Sequence, residues 1–227
     1  ILWPVLVICG LILPADFSTA AMLLIVCFTM MFIGGAKITH LASIIGTAIV
    51  GFLFLILLNM ALPGFLPRVD TWEKRMMSYG SGDKQENYQA EMAKRAVANG
   101  FLFGKGPGKG HVKNDLYSAQ SDFIYASSIE EFGSIIGGIG LLLLYMILFF
   151  RAIRIMNKVD SKFASYLVFG LSFMLIFQSF INMGVGVNLF PVTGQPLPLI
   201  SMGGTSILFT CVSLGIILNV SSTVYNE

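Results

Sequence analysis

Long apolar runs leave this chain few ways to fold. From Ile135 to Phe150 the only side chain with a nitrogen or oxygen atom is that of Tyr145, and further apolar runs cover 1–13, 17–33, 41–62, 163–185 and 199–220. As a helix, about 20 such residues cross the ~30 Å hydrocarbon core of a bilayer. Lipid offers the backbone no hydrogen-bond partners, so a spanning segment must be a helix or part of a closed barrel, and these runs are too long for barrel strands of ~9–11 residues. Composition agrees: 56% of the residues are hydrophobic, 11% are charged and the mean hydropathy is +0.80, outside the range of soluble domains. The pattern predicts an all-α polytopic membrane protein with six transmembrane helices.

The runs divide the chain into three parts: residues 1–62 with three spans, a polar segment over 63–120, and residues 121–227 with three more. Ile1 opens in mid-span, without an initiator Met or a charged leader, so the first span is expected to be truncated. Pro14 and Asp16 mark a tight reversal in which Asp16 or Ser18 caps the second helix. Gly34 to His40 is a short polar turn, and Pro63-Gly64 stops the third span. Within the polar segment, Asn87 to Asn99 is expected to form a helix with Ala90, Ala93, Val97 and Phe101 on one stripe, lying on the membrane surface and closed by Gly100. Trp72 to Met77 reads as an interfacial anchor. Asn188 to Pro198, with three prolines, is a rigid re-entry before the last span.

The positive-inside rule places Lys37, Arg151, Arg154, Lys158 and Lys162 in the cytoplasm. Both termini would then be cytoplasmic, and 63–120 would face outward. A net charge of +2 spread over interfacial clusters gives no nucleic-acid surface; lipid headgroups are the expected anionic partner. Cys9, Cys27 and Cys211 lie inside apolar runs without metal-ligand spacing. His40 and His111 are isolated, and both read as surface residues.

Asp122, Glu130 and Glu131 stand where the polar segment returns to apolar sequence. A carboxylate at that boundary costs about 2.5–3.5 kcal/mol on insertion scales unless it faces water, pairs or works. The bland reading of Asp122 is a cap for the helix that follows. The bland reading of Gln178 and Asn182, four apart within a span, is glue between helices. Gly104-Lys105-Gly106-Pro107-Gly108-Lys109-Gly110 is no Walker motif and reads as a mobile turn that adds positive potential.

Three stretches resemble the SEDS family (shape, elongation, division and sporulation), whose FtsW and RodA members polymerise peptidoglycan. Ser121-Asp122-Phe123-Ile124-Tyr125-Ala126 with Glu130-Glu131-Phe132-Gly133 is similar to its aspartate signature. Residues Pro191 to Ser206 resemble its P-x-x-G-x-x-L-P-x-I-S-Y-G-G-S-S segment, with Met202 in place of the tyrosine. Asp16-Phe17-Ser18-Thr19 resembles its P-D-x-G-T turn, with the proline one place early at Pro14. Gly34 to Lys37 and Lys113-Asn114 bring the likeness nearer to FtsW.

The resemblance implies the last six of ten spans, in the bacterial cytoplasmic membrane. It implies a glycosyltransferase that polymerises lipid II into glycan strands, with a class B penicillin-binding protein as partner. A lipid II flippase and a non-catalytic scaffold are the alternatives. Pyrophosphate leaves without a proton, so one base suffices where a glycosidase needs two carboxylates. Asp122 would be that base. Lys113 would neutralise the pyrophosphate, and Glu130 and Glu131 would orient substrate. A divalent cation, Mg²⁺ or Mn²⁺, would be held by Asp122, Glu130 and Glu131. Gln178, Asn182 and Ser201 complete the expected substrate contacts.

Overall fold

The structure is a computed structural model, and it describes residues 2–61, 84–110 and 120–226. Lys113, His111 and the Trp72 to Met77 anchor lie outside the described residues. Backbone contacts divide the chain into two compact units, residues 1–81 and 82–227. All regular elements among the described residues are helical.

In the first unit, α1 (Leu2–Ile12), α2 (Phe17–Ile33) and α3 (Ile38–Ala61) pack on one another. Asp16 caps α2: its carboxylate accepts from the Thr19 amide at 3.2 Å and from the Thr19 hydroxyl at 2.6 Å. At the other end Gly35, with φ +76°, turns the chain out of α2. The expected polar turn is shorter than its composition suggested, because the Lys37 carbonyl already accepts from the amides of His40 and Leu41. Polar residues fill a first helical turn as readily as a loop, so α3 begins at Ile38. Leu41, Ile44, Ala20, Met22 and Val26 are buried, whereas Phe54 and Leu57 are more than half exposed, as lipid-facing side chains are.

The second unit begins with α4 (Lys84–Gly100), followed by α5 (Ile124–Gly133), a π-helical segment (Ser134–Gly140) and α6 (Leu141–Met156). Then come α7 (Lys162–Gly186) and α8 (Gly204–Asn226). Helices α3, α7 and α8 and the combined rod Ile124–Met156 are long and apolar enough to cross a membrane; α1 and α2 are shorter apolar helices. Ile155, Ala152, Val168 and Ile217 join α6, α7 and α8 near one end. The rings of Phe149, Phe169, Phe173 and Phe177 form a row along α6 and α7.

The structure corrects three sequence expectations. The small-residue stripe of α4 consists of Ala93, Ala96 and Gly100, and it packs on protein: Ala93 and Ala96 meet Phe123, Ala126 and Val185. A Cβ at Gly100 would lie 2.0 Å from the Ile129 carbonyl oxygen, so helix contact this close needs glycine. Phe101 leaves the stripe with φ 44° and is 76% exposed. The rod that starts with α5 is broken at Gly133, which has φ 83° and ψ 168°. The last helix starts at Gly204 instead of Leu199, because Leu199 is left-handed (φ 69°) and the Ser201 amide closes a turn on the Leu197 carbonyl.

Candidate active site

Asp122 lies in a turn over 120–123, ahead of α5. The residue at the cap position of α5 is Phe123, and no side chain caps that helix. The helix does not continue back through Asp122, and its carboxylate does not close the helix end. Oδ1 accepts one hydrogen bond, from the Ser121 hydroxyl at 2.9 Å, and the side chain is half-buried. Phe123, which follows, is fully buried and fixes the turn in the core.

The backbone around Asp122 is tied down from the far end of the chain. Asn182 Nδ2, on α7, donates to the Asp122 carbonyl at 3.1 Å and to the Gln195 carbonyl at 2.7 Å. Ser201 Oγ donates to the Ser121 carbonyl and accepts from the Leu197 amide, each at 2.7 Å. The Met202 amide donates to the Gln120 carbonyl at 3.0 Å. Gln178 Nε2 holds the Pro196 carbonyl at 2.9 Å, and the Tyr145 hydroxyl donates to the Pro198 carbonyl. Asn182 and Ser201 are at least 98% buried. Gln178, Asn182 and Ser201 therefore spend their donors on irregular backbone that helix geometry leaves unsatisfied, which is what makes such backbone tolerable in a membrane protein. Asn182 and Ser201 brace the Asp122 turn, and Gln178 braces the Pro196 segment.

Glu130 is fully buried. Its Oε1 accepts from Lys105 Nζ at 3.2 Å and from Asn99 Nδ2 at 3.3 Å. The glycine-lysine segment is thus no loose turn. Gly104 and Gly106 have φ of +75° and +100°, and the backbone is laced to the break after α5. The amides of Lys105 and Gly106 donate to the carbonyls of Glu130 and Glu131 at 2.9 and 3.0 Å. Those of Ser134 and Ile135 donate to Phe101 and Leu102 at 2.8 and 3.4 Å. Two carbonyls and two amides that the break would strand, and as many in the 101–106 segment, are satisfied in this way. Lys105 and Asn99 went unrecognised in the sequence; the signal available was a lysine flanked by glycines, where only a special backbone course requires both glycines.

The three carboxylates do not form one ligand set. Among the described residues no group of three or more His, Cys, Asp and Glu side chains converges to hold a metal ion. The donor chemistry gives the reason: Glu130 already faces an ammonium group, and Asp122 accepts from Ser121. The expected Mg²⁺ or Mn²⁺ site at Asp122, Glu130 and Glu131 does not fit this arrangement. Glu130 holds the loop to α5 instead.

Removing the ammonium would leave a buried carboxylate with weak compensation. Breaking a fully buried pair costs about 3–5 kcal/mol, and partial solvation of Lys105 reduces this to roughly 2 kcal/mol. Lys105→Met is expected to lower the thermal midpoint of the detergent-solubilised protein by several degrees, with Lys105→Arg close to wild type. Equal midpoints for the Met variant and wild type would show that the pair contributes nothing.

Comparison with known proteins agrees with this architecture. A family model described as "Cell cycle protein" (FtsW/RodA/SpoVE) matches residues 1–226. Stage V sporulation protein E of Bacillus subtilis is 35% identical over 211 residues, 91% of this chain and 54% of that protein. A probable peptidoglycan glycosyltransferase FtsW of Haemophilus ducreyi is 34% identical over 215 residues, 92% of this chain and 52% of that protein. The chain spans about half the length of the curated relatives it matches. A solved chain described under "Structural coordination of polymerization and crosslinking by a peptidoglycan synthase complex" superposes with a TM-score of 0.69. It is 26% identical, over 98% of this chain and 61% of that one. The six apolar helices, the braced aspartate turn and these likenesses together make the chain a membrane protein of the SEDS family, in its FtsW/RodA/SpoVE group.

Proposed function

We propose that this chain carries the catalytic face of a peptidoglycan glycosyltransferase that polymerises lipid II, with Asp122 as the general base. The observation that carries this reading is the state of Asp122: a half-buried carboxylate with one hydroxyl partner, caps nothing, and stands on backbone braced by Asn182, Ser201 and Met202. A base needs a lone pair open to the attacking hydroxyl and a fixed position. In the proposed step the acceptor sugar's 4-hydroxyl gives its proton to Asp122 while its oxygen attacks the anomeric carbon. The bond to pyrophosphate breaks, and the leaving group keeps the electron pair.

Charge on the departing pyrophosphate is greatest in the transition state, so a cation there acts on turnover more than on binding. We assign that role to Lys113, nine residues before Asp122. Lys113→Ala should lower turnover at saturating precursor more than tenfold, about 1.4 kcal/mol. Lys94→Ala should only raise the precursor concentration required. A Lys113 variant affected in concentration alone would make Lys113 a surface attractor.

The charged turns support a reading in which Asp122 faces outward from the bacterial cytoplasmic membrane, with Lys37 and 151–162 inside. A class B penicillin-binding protein is the proposed partner, in keeping with the polymerization and crosslinking described for the similar complex. Side-specific thiol labelling in intact cells tests the orientation. An introduced Lys109→Cys should react without permeabilisation, and labelling only after permeabilisation would overturn the outward-facing site.

A further inference from the structure

Directly after α4 three large apolar side chains in a row face outward: Phe101 is 76%, Leu102 48% and Phe103 81% exposed. They form the turn that follows Gly100 and belong to no helix face. Phe101 also holds a left-handed backbone, φ 44°, which glycine adopts freely and phenylalanine only under strain. With its ring three-quarters exposed, packing within the protein does little to offset that strain.

The lacing to α5 fixes where this tip sits. The Ser134 and Ile135 amides donate to the Phe101 and Leu102 carbonyls, which puts the tip beside the first turn of the π-helical segment. From that level onward the rod carries one exposed apolar stripe: Phe132, Ile136, Ile139, Leu143, Ile147 and Phe150 recur three or four residues apart, each at least 42% exposed. Such a stripe on a spanning helix faces lipid. Arg151 and Arg154 mark its charged end. Ile135 stands roughly 24 Å back along the rod from Arg151 at ~1.5 Å per residue, within the ~30 Å of a hydrocarbon core that begins at the arginines. The tip therefore meets the opposite boundary of that core. Irregular backbone at this depth needs partners of its own. It has them: the amides of Gly104, Lys105 and Gly106 donate to the carbonyls of Gly100, Glu130 and Glu131. Polar chemistry returns just beyond, where Lys105 turns inward to Glu130 and Lys109 is exposed.

A protein partner and lipid could each cover an apolar surface, and size and continuity choose between them. A stable protein interface buries about 800 Å² on each side and has a polar rim. The tip is three residues wide and adjoins a stripe that already faces lipid. We infer that Phe101, Leu102 and Phe103 form a wedge inserted among the acyl chains of the leaflet opposite the basic turn 151–162. The wedge holds the laced segment, and Glu130 with it, at the membrane boundary. This role follows from the spanning helices and is independent of the polymerase reading.

The test uses the full-length protein, with its native cysteines replaced by alanine, in vesicles of phosphatidylethanolamine and phosphatidylglycerol. Single nitroxide labels are attached at Phe103→Cys, at Leu102→Cys, at Lys109→Cys as the aqueous reference and at Leu144→Cys as the mid-span reference. Collision of each label with oxygen, which concentrates among acyl chains, is compared with collision with a water-soluble nickel chelate. Both tip labels should give an oxygen-to-nickel ratio about threefold or more above that of Lys109→Cys, shifted toward that of Leu144→Cys. Tip ratios no higher than that of Lys109→Cys would place the tip in water and overturn the wedge. Tip labels that neither reagent reaches would show that protein covers the tip, and would overturn the lipid assignment as well.

Discussion

Asp122→Asn is expected to reduce glycan polymerisation by about 10²- to 10⁴-fold, the usual consequence of losing a general base. The amide oxygen of Asn can still accept from the Ser121 hydroxyl, and nothing in the fold uses the carboxylate as a cap. Expression, membrane insertion and thermal midpoint should therefore stay near wild type. This separates the base from a structural aspartate: at a helix cap, Asn substitutes for Asp with little loss. Near wild-type synthesis by the Asn variant, measured as polymer length and yield, would return Asp122 to a structural role.

Gly133→Ala should have the largest effect on the fold. Gly133 sits at φ 83° and ψ 168°, in a region that essentially only glycine occupies and where another residue costs about 1–3 kcal/mol in strain alone. Its added Cβ would also lie 2.3 Å from the Leu102 carbonyl oxygen and 2.6 Å from the Gly104 amide nitrogen. The clash falls where the 101–106 segment exchanges four backbone hydrogen bonds with the end of α5 and the start of the π-helical segment. Separation of these strands of backbone would expose buried Glu130 as well. Loss of a cooperative thermal transition, or rapid proteolysis between α4 and α5, is the expected result. Gly10→Ala, with open space around the added carbon, is the control that should unfold like wild type. An unchanged midpoint for Gly133→Ala would mean that the laced segment is not part of the stable fold.

Helices and termini were legible wherever one local signal decided them. Asp16 with Thr19, and the glycines after Ile33, placed α2 at Phe17–Ile33 as expected from sequence. The span expected from Phe163 to Val185 is α7, longer by one residue at each end. What escaped depends on contacts between distant segments. The break at Gly133 is invisible in an apolar run, because glycine there is as compatible with a membrane helix as with a left-handed turn. The ion pair of Lys105 with Glu130 joins residues 25 apart, and nothing local says that the glycine-lysine segment is laced to α5. Periodicity alone could not tell a lipid-facing stripe on α4 from a protein-facing one; the closeness of Gly100 to Ile129 decided it. For the site, sequence reasoning named Asp122, Asn182 and Ser201, and the structure brings them to one turn. Their division into one open carboxylate and two backbone braces needed the hydrogen bonds.

One measurement tests the central claim most directly. The full-length protein, purified and reconstituted into vesicles with fluorescent lipid II, is assayed for both polymer and transport. The account predicts long glycan chains from wild type and none from Asp122→Asn, with no movement of unpolymerised precursor between leaflets in either. Transport of intact lipid II in the absence of any polymer would contradict it and identify the chain as part of a flippase.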